Sequence, residues 1–206
     1  MSNLEIDENF SANFRWIESP TTTAIYLLAI LLWVPGCSTP ESIAHDISSH
    51  VFGGQTAFDA FRTASDVTAE RLDCKTAGIC ISTNLADYRR YSRRALSQAQ
   101  IDQLRDLFSQ RASYPDSLWR MKPREVVIKA CGTRYGVLVT FHAKPMVRIA
   151  LCFQCDEFGV FVGDDDRSHF VNRDTELGHM RAALLPLLKS IYPNDPGIQS
   201  LPLRRP

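Results

Sequence analysis

Six cysteines stand in the 206-residue chain, at positions 37, 74, 80, 131, 152 and 155. Cys74 and Cys80 are separated by five residues that include Gly78, a separation that one disulfide can close into a small loop. Cys152-Phe153-Gln154-Cys155 has Cys-x2-Cys spacing. That spacing serves a structural disulfide, half of a zinc site, or a redox-active dithiol. Cys131 stands alone, and Cys37 follows an apolar run.

The apolar run is Ala24 to Val34, AIYLLAILLWV, without a charge. A helix needs about 20 residues to span a bilayer, so the run is too short for that. It fits the apolar region of a signal peptide, about 7–15 residues. Val34-Pro35-Gly36-Cys37 resembles the lipobox of bacterial lipoproteins. The resemblance implies that residues 1–36 are a signal peptide removed before Cys37, which is then acylated with palmitate-type chains and becomes the mature N-terminus. Two acyl chains anchor a soluble domain where one binds only marginally. Residues 1–23 carry Glu5, Asp7, Glu8 and Glu18 against Arg15 alone, unlike the usual basic leader. An uncleaved anchor and a buried apolar segment are the alternatives. Ser38, in place of Asp, resembles the signal that sorts Gram-negative lipoproteins to the outer membrane, facing the periplasm.

Composition narrows the class further. The whole chain carries 23 basic and 23 acidic residues and is 45% hydrophobic, an ordinary globular balance. Without residues 1–36 it keeps 22 basic and 19 acidic residues, net +3. So mild a charge gives no ground for a nucleic-acid partner.

Residues 37–55 contain Ser, Thr, Pro, His and Gly-Gly with little periodicity, and read as a tether between membrane and domain. Residues 56–201 read as the globular domain, and residues 202–206 as a tail. A helix is expected over residues 56–72, with Thr56 as N-cap and Phe58, Phe61, Ala64 and Leu72 on one face. Residues 73–96 read as irregular. Their run Tyr88-Arg89-Arg90-Tyr91-Ser92-Arg93-Arg94 could bind phosphates or anionic headgroups. The plainer reading, a solvated surface or strand edge where charge discourages pairing, is preferred. Ser97-x-x-Gln100 matches a capping box opening a helix over 97–111, with Ile101, Leu104, Leu107 and Phe108 as its stripe.

Beyond Tyr114-Pro115 the hydrophobic period becomes two. Residues 125–131, 135–142, 146–153 and 158–162 read as strands, with a fifth at about 168–171. Short connections make neighbours antiparallel. A last helix is expected from Asp174 to Ile191, kinked or split at Pro186, followed by an extended tail after Pro193. The fold class is therefore α+β: an antiparallel β-meander of four to five strands with helices packed on one face, preceded by a signal or anchor segment.

This meander gathers Cys131, Cys152 and Cys155 at one sheet end, with Cys131 and Cys152 on its less apolar face. If one strand separates them they lie about 9–10 Å apart, too far for a direct disulfide, which needs about 7 Å. Cys155 could pair with either. An exported chain meets an oxidising space, so disulfides are the first expectation. A thiolate zinc site is an alternative, with Cys131, Cys152 and Cys155 as three ligands. Its fourth is unassigned: His142 falls at the opposite sheet end, while His179 on the last helix could reach. A redox pair or inert thiols complete the choices. Lys129-x-Cys131 followed by Leu151-Cys152-Phe153-Gln154-Cys155 is similar to a pattern in bacterial proteins of unknown function, to which no activity attaches.

Asp164, Asp165 and Asp166 lack EF-hand spacing and read as turn residues. No catalytic motif is present, so catalytic residues and cofactors are expected to be none, zinc being the cofactor alternative. The expectation is an envelope lipoprotein, attached to the membrane by its lipid, that acts by binding or structure. A protein or small-molecule partner is unspecified. The second reading is a thiol-dependent protein using Cys131, Cys152 and Cys155.

Overall fold

The computed structural model describes residues 39–75, 84–120, 134–164, 169–177 and 179–203. The apolar run 24–34 and Cys37 lie outside these residues, as do Cys80 and the expected strand 125–131 with Lys129 and Cys131. No helix among the described residues is long and apolar enough to cross a membrane.

The first described element is a helix, in the stretch where a tether was expected. Helix α1 spans Pro40–His50, and Thr39 caps it by accepting from the Ser42 N–H at 3.2 Å. Pro40 at the start has no N–H to leave unsatisfied. Ile43, Ile47 and Val51 recur every four residues, a helical stripe hidden among polar neighbours. Ile47, Val51 and Phe52 are completely buried. The chain then reverses at Gly53, where φ is +72° and a Cβ would meet Val171 at 1.7 Å, so only glycine fits.

Helix α2 covers Gln55–Thr63, with Gly54 rather than Thr56 at its N-cap. It stops well short of residue 72, because the period changes to two at Val67. Strand β1, Val67–Cys74, puts Val67 and Ala69 toward the helices and Leu72 on the opposite face. After a 3-10 turn at Leu85–Asp87, the arginine run forms strand β2, Tyr88–Ala95. Its residues 91–95 are all exposed, as the strand-edge reading expects. Ser92 has φ +52° and the register shifts opposite it, a bulge in the edge strand.

Helix α3, Gln98–Ser109, has the expected capping box, and Ile101, Leu104 and Phe108 are buried. A 3-10 turn at Arg111–Ser113 and a short helix α4, Asp116–Arg120, follow. Then come β3 (Val137–Phe141), β4 (Val147–Cys152), β5 (Glu157–Val162) and β6 (His169–Glu176). Strand β6 runs through Asp174, so helix α5 begins only at Arg181 and ends at Ile191. The helix does not split at Pro186, which lies on its solvent side while Leu184, Leu185 and Leu188 are buried. The expected extended tail holds another helix instead, α6 at Pro196–Gln199, capped by Asp195 and buried at Ile198.

All strand pairs are antiparallel, in the order β2-β1-β3-β4-β5-β6. The protein is α+β: the expected strands 135–142, 146–153, 158–162 and about 168–171 are β3–β6, but the place beside β3 expected for residues 125–131 is taken by β1, with β2 outside it. Helices cover one face. There the Phe61 ring lies 4.7 Å from both Phe52 and Phe141, tying α2 to the α1 end and to the sheet. The other face carries a smaller cluster around Leu72, Tyr88, Tyr135, Leu138, Ala150, Cys152 and Phe161.

Candidate functional site at the thiol end of the sheet

One sheet end assembles from the finish of β1, the approach to β3 and the finish of β4. Backbone bonds stitch it: Leu72 N–H donates to the Gly136 carbonyl at 3.0 Å, and Gly136 N–H to that of Leu151 at 2.8 Å. Cys152 is the last residue of β4 and pairs with Glu157, which leaves residues 153–156 as the turn into β5. Strand alternation puts Cys152 on the same face as Ala150 and Arg148, the face expected for it.

Cys152 has no exposed surface. Its Sγ accepts from the Cys155 N–H at 3.1 Å. Burial, and then the neighbouring Cys155 thiol, push the Cys152 thiol up to about 12. A thiol that holds its proton so firmly is a poor nucleophile. Redox Cys-x2-Cys pairs usually open a helix whose N-terminus stabilises the thiolate, whereas this pair closes a strand and enters a turn. Neither Cys152 nor Cys155 is in a disulfide. Cys74 and Cys155 pack against the cluster that buries Cys152.

The zinc reading meets a partial test here. Among the described residues, no three His, Cys, Asp or Glu side chains converge on a point that could hold a metal. His142 lies beyond the far end of β3 and bonds the Thr68 hydroxyl at 2.9 Å. His179 is exposed in the turn before α5, beside a separate shallow cleft with Arg111 and Asp116. Cys131, the third thiolate of that reading, is outside the described residues.

Two arginines that the sequence reading passed over organise this end. Arg181, at the start of α5, is nearly buried. Its Nη1 donates to the Phe153 carbonyl at 2.9 Å and to Asp156 Oδ1 at 2.8 Å, so α5 holds the cysteine turn in place. Arg71 of β1 is bound through Nε to Asp195 Oδ2 at 2.7 Å, and its Nη1 donates to the Gly136 carbonyl. Asp195-Pro196 is a legible helix start, yet nothing in the sequence links Asp195 to a strand residue 124 positions earlier.

Beside the turn opens a cleft of about 190 Å³. Arg71, Asp73, Cys74, Arg134, Gly136, Phe153, Gln154 and Gly197 are among its walls. Its chemistry is that of guanidinium and amide donors next to an aromatic ring, suited to holding a polar group. No protein-family model, no curated protein and no solved structure matches the chain.

Proposed function

We propose that the chain is a membrane-anchored lipoprotein of the bacterial cell envelope, with its α+β domain acting as a binding or structural module. The observation that supports this reading is how closely the first described helix follows Cys37. Thr39 caps the first helix of the packed domain, two residues after Cys37. Cleavage before Cys37 would therefore remove the apolar leader and leave every described element intact. Two extended residues reach at most about 7 Å, so lipid on Cys37 would hold the domain close against the bilayer. Ser38 favours the outer membrane, and the periplasm is a space in which Cys74 and Cys80 would close their small loop as a disulfide.

The thiol-dependent reading is weaker. The buried, firmly protonated Cys152 suits a structural thiol better than a redox nucleophile. Zinc would have to recruit Cys131 and a fourth ligand, and would have to displace the Cys152 proton.

The test is expression of the full chain in a Gram-negative bacterium fed labelled palmitate. Label should enter the membrane fraction, and the intact mass should match a chain beginning at a diacylated Cys37. Cys37→Ala should abolish both label and membrane attachment. Full-length protein with Met1 intact in the soluble fraction, or unchanged attachment of the Cys37→Ala chain, would overturn the reading.

A further inference from the structure

We propose that the cleft between Arg71 and Arg134 is a binding site for one small oxyanion, a carboxylate or a phosphate. This deepens the binding-module part of the functional reading and does not depend on the lipid anchor.

Arg71 supplies the central argument. It points toward the helix-covered side of β1, where its side chain is 14% exposed, and a cation so placed needs partners. Asp195 takes Nε and the Gly136 carbonyl takes Nη1, which locks the plane of the guanidinium. Nη2 is left with no hydrogen-bond partner among the described residues and lies beside Gly197. The donor is thus fixed in direction before any ligand arrives, which lowers the ordering cost of binding.

Two glycines keep the fork clear. A Cβ at Gly136 would stand 3.3 Å from Nη1, and one at Gly197 would stand 3.3 Å from Nη2. Neither glycine has the positive φ that would call for glycine on backbone grounds. What both positions share is clearance around the Arg71 nitrogens.

The remaining walls fit the same ligand. Arg134 is exposed and brings a second guanidinium, and Gln154 brings an amide. Asp73 is the acid in the lining, and its Oδ1 already accepts from the Cys74 N–H at 2.9 Å. Asp195 is committed to Arg71 Nε. Planar guanidinium groups match carboxylate and phosphate oxygens in geometry as well as charge. The volume of about 190 Å³ is below the roughly 300–1,000 Å³ of pockets for drug-sized ligands, so the guest is a small acid or a phosphate group.

Equilibrium dialysis of the detergent-purified full chain against labelled inorganic phosphate, and separately against labelled succinate, tests this. One saturable site per chain is expected for at least one probe, and the arm that saturates identifies the oxyanion. Arg134→Gln, on an exposed residue, should weaken binding about tenfold, the loss expected for one charge-assisted contact. Gly197→Ala should weaken it while keeping every charge. Arg93→Gln with Arg94→Gln, on the exposed edge strand, should leave it unchanged. Failure of both probes to saturate, or equal loss in the edge-strand variant, would overturn the site. Palmitate labelling of the same preparation reads the anchor separately, so the two readings fail independently.

Discussion

The backbone N–H of Cys155 points at the Cys152 sulfur from 3.1 Å, and one guanidinium, that of Arg181, holds the turn between the two residues from outside. The consequence is two thiols three residues apart with unequal access. Cys152 is fully buried and Cys155 is partly exposed. Iodoacetamide at neutral pH should therefore modify Cys155 in the native protein and reach Cys152 only after unfolding. Peptide mass spectrometry of a labelling time course checks this, and equal rates at the two sites would contradict it.

The same burial sets a pH dependence. Unfolded, the Cys152 thiol ionises near its ordinary value of 9.0, and folded it does so only near about 12. Between those values the folded chain keeps a proton that the unfolded chain has released, so stability falls as pH rises through the window. Below the lower value the contribution is complete. Denaturant unfolding at about pH 8 and about pH 10.5 should show a loss that is smaller in Cys152→Ala. An identical pH slope in the variant would remove Cys152 as the cause.

Arg181 joins α5, the cysteine turn and the C-terminal segment through the Phe153 carbonyl, Asp156 and the Pro202 carbonyl. Arg181→Ala leaves a partly buried carboxylate and two carbonyls without their donor. Breaking a buried pair in this way costs about 3–5 kcal/mol. Chemical denaturation gives the number, and a loss under about 1 kcal/mol would show that the surface value applies instead.

A chain beginning at Thr56 separates the observed fold from the tether expected over residues 37–55. It lacks Ile47, Val51 and Phe52, all completely buried. Each such side chain contributes about 1.5–3 kcal/mol, and the total rivals the whole stability of a typical domain, about 5–15 kcal/mol. The shortened chain should fail to show a cooperative melt by circular dichroism. A native-like melt would restore the tether.

Periodicity over a local window was enough for the parts of this protein held by nearby residues. The capping box at Ser97 and Gln100, the stripe of α3, the strands β3 to β5 and the buried alternation at Cys152 could all be read from neighbours within one element. The arginine run admitted a solvated surface or a strand edge, where like charges resist a further partner, but residues 73–96 read as irregular and the structure makes Tyr88–Ala95 a strand. Elements misread were those whose local signal was diluted. In α1 the apolar residues lie four apart among Ser, His and Asp, and in 56–72 two periods meet without a Gly or Pro between them.

The amino-acid order alone determined the α+β class, the antiparallel meander and the face that Cys152 takes, since each follows from spacing along a few consecutive residues. Tertiary structure alone decided that Arg71 meets Asp195, that Arg181 clamps the Cys152–Cys155 turn, and that two glycines frame one guanidinium. Those contacts join residues up to 124 positions apart. No local pattern encodes them, because ion pairing and clearance depend on where separate elements pack in space.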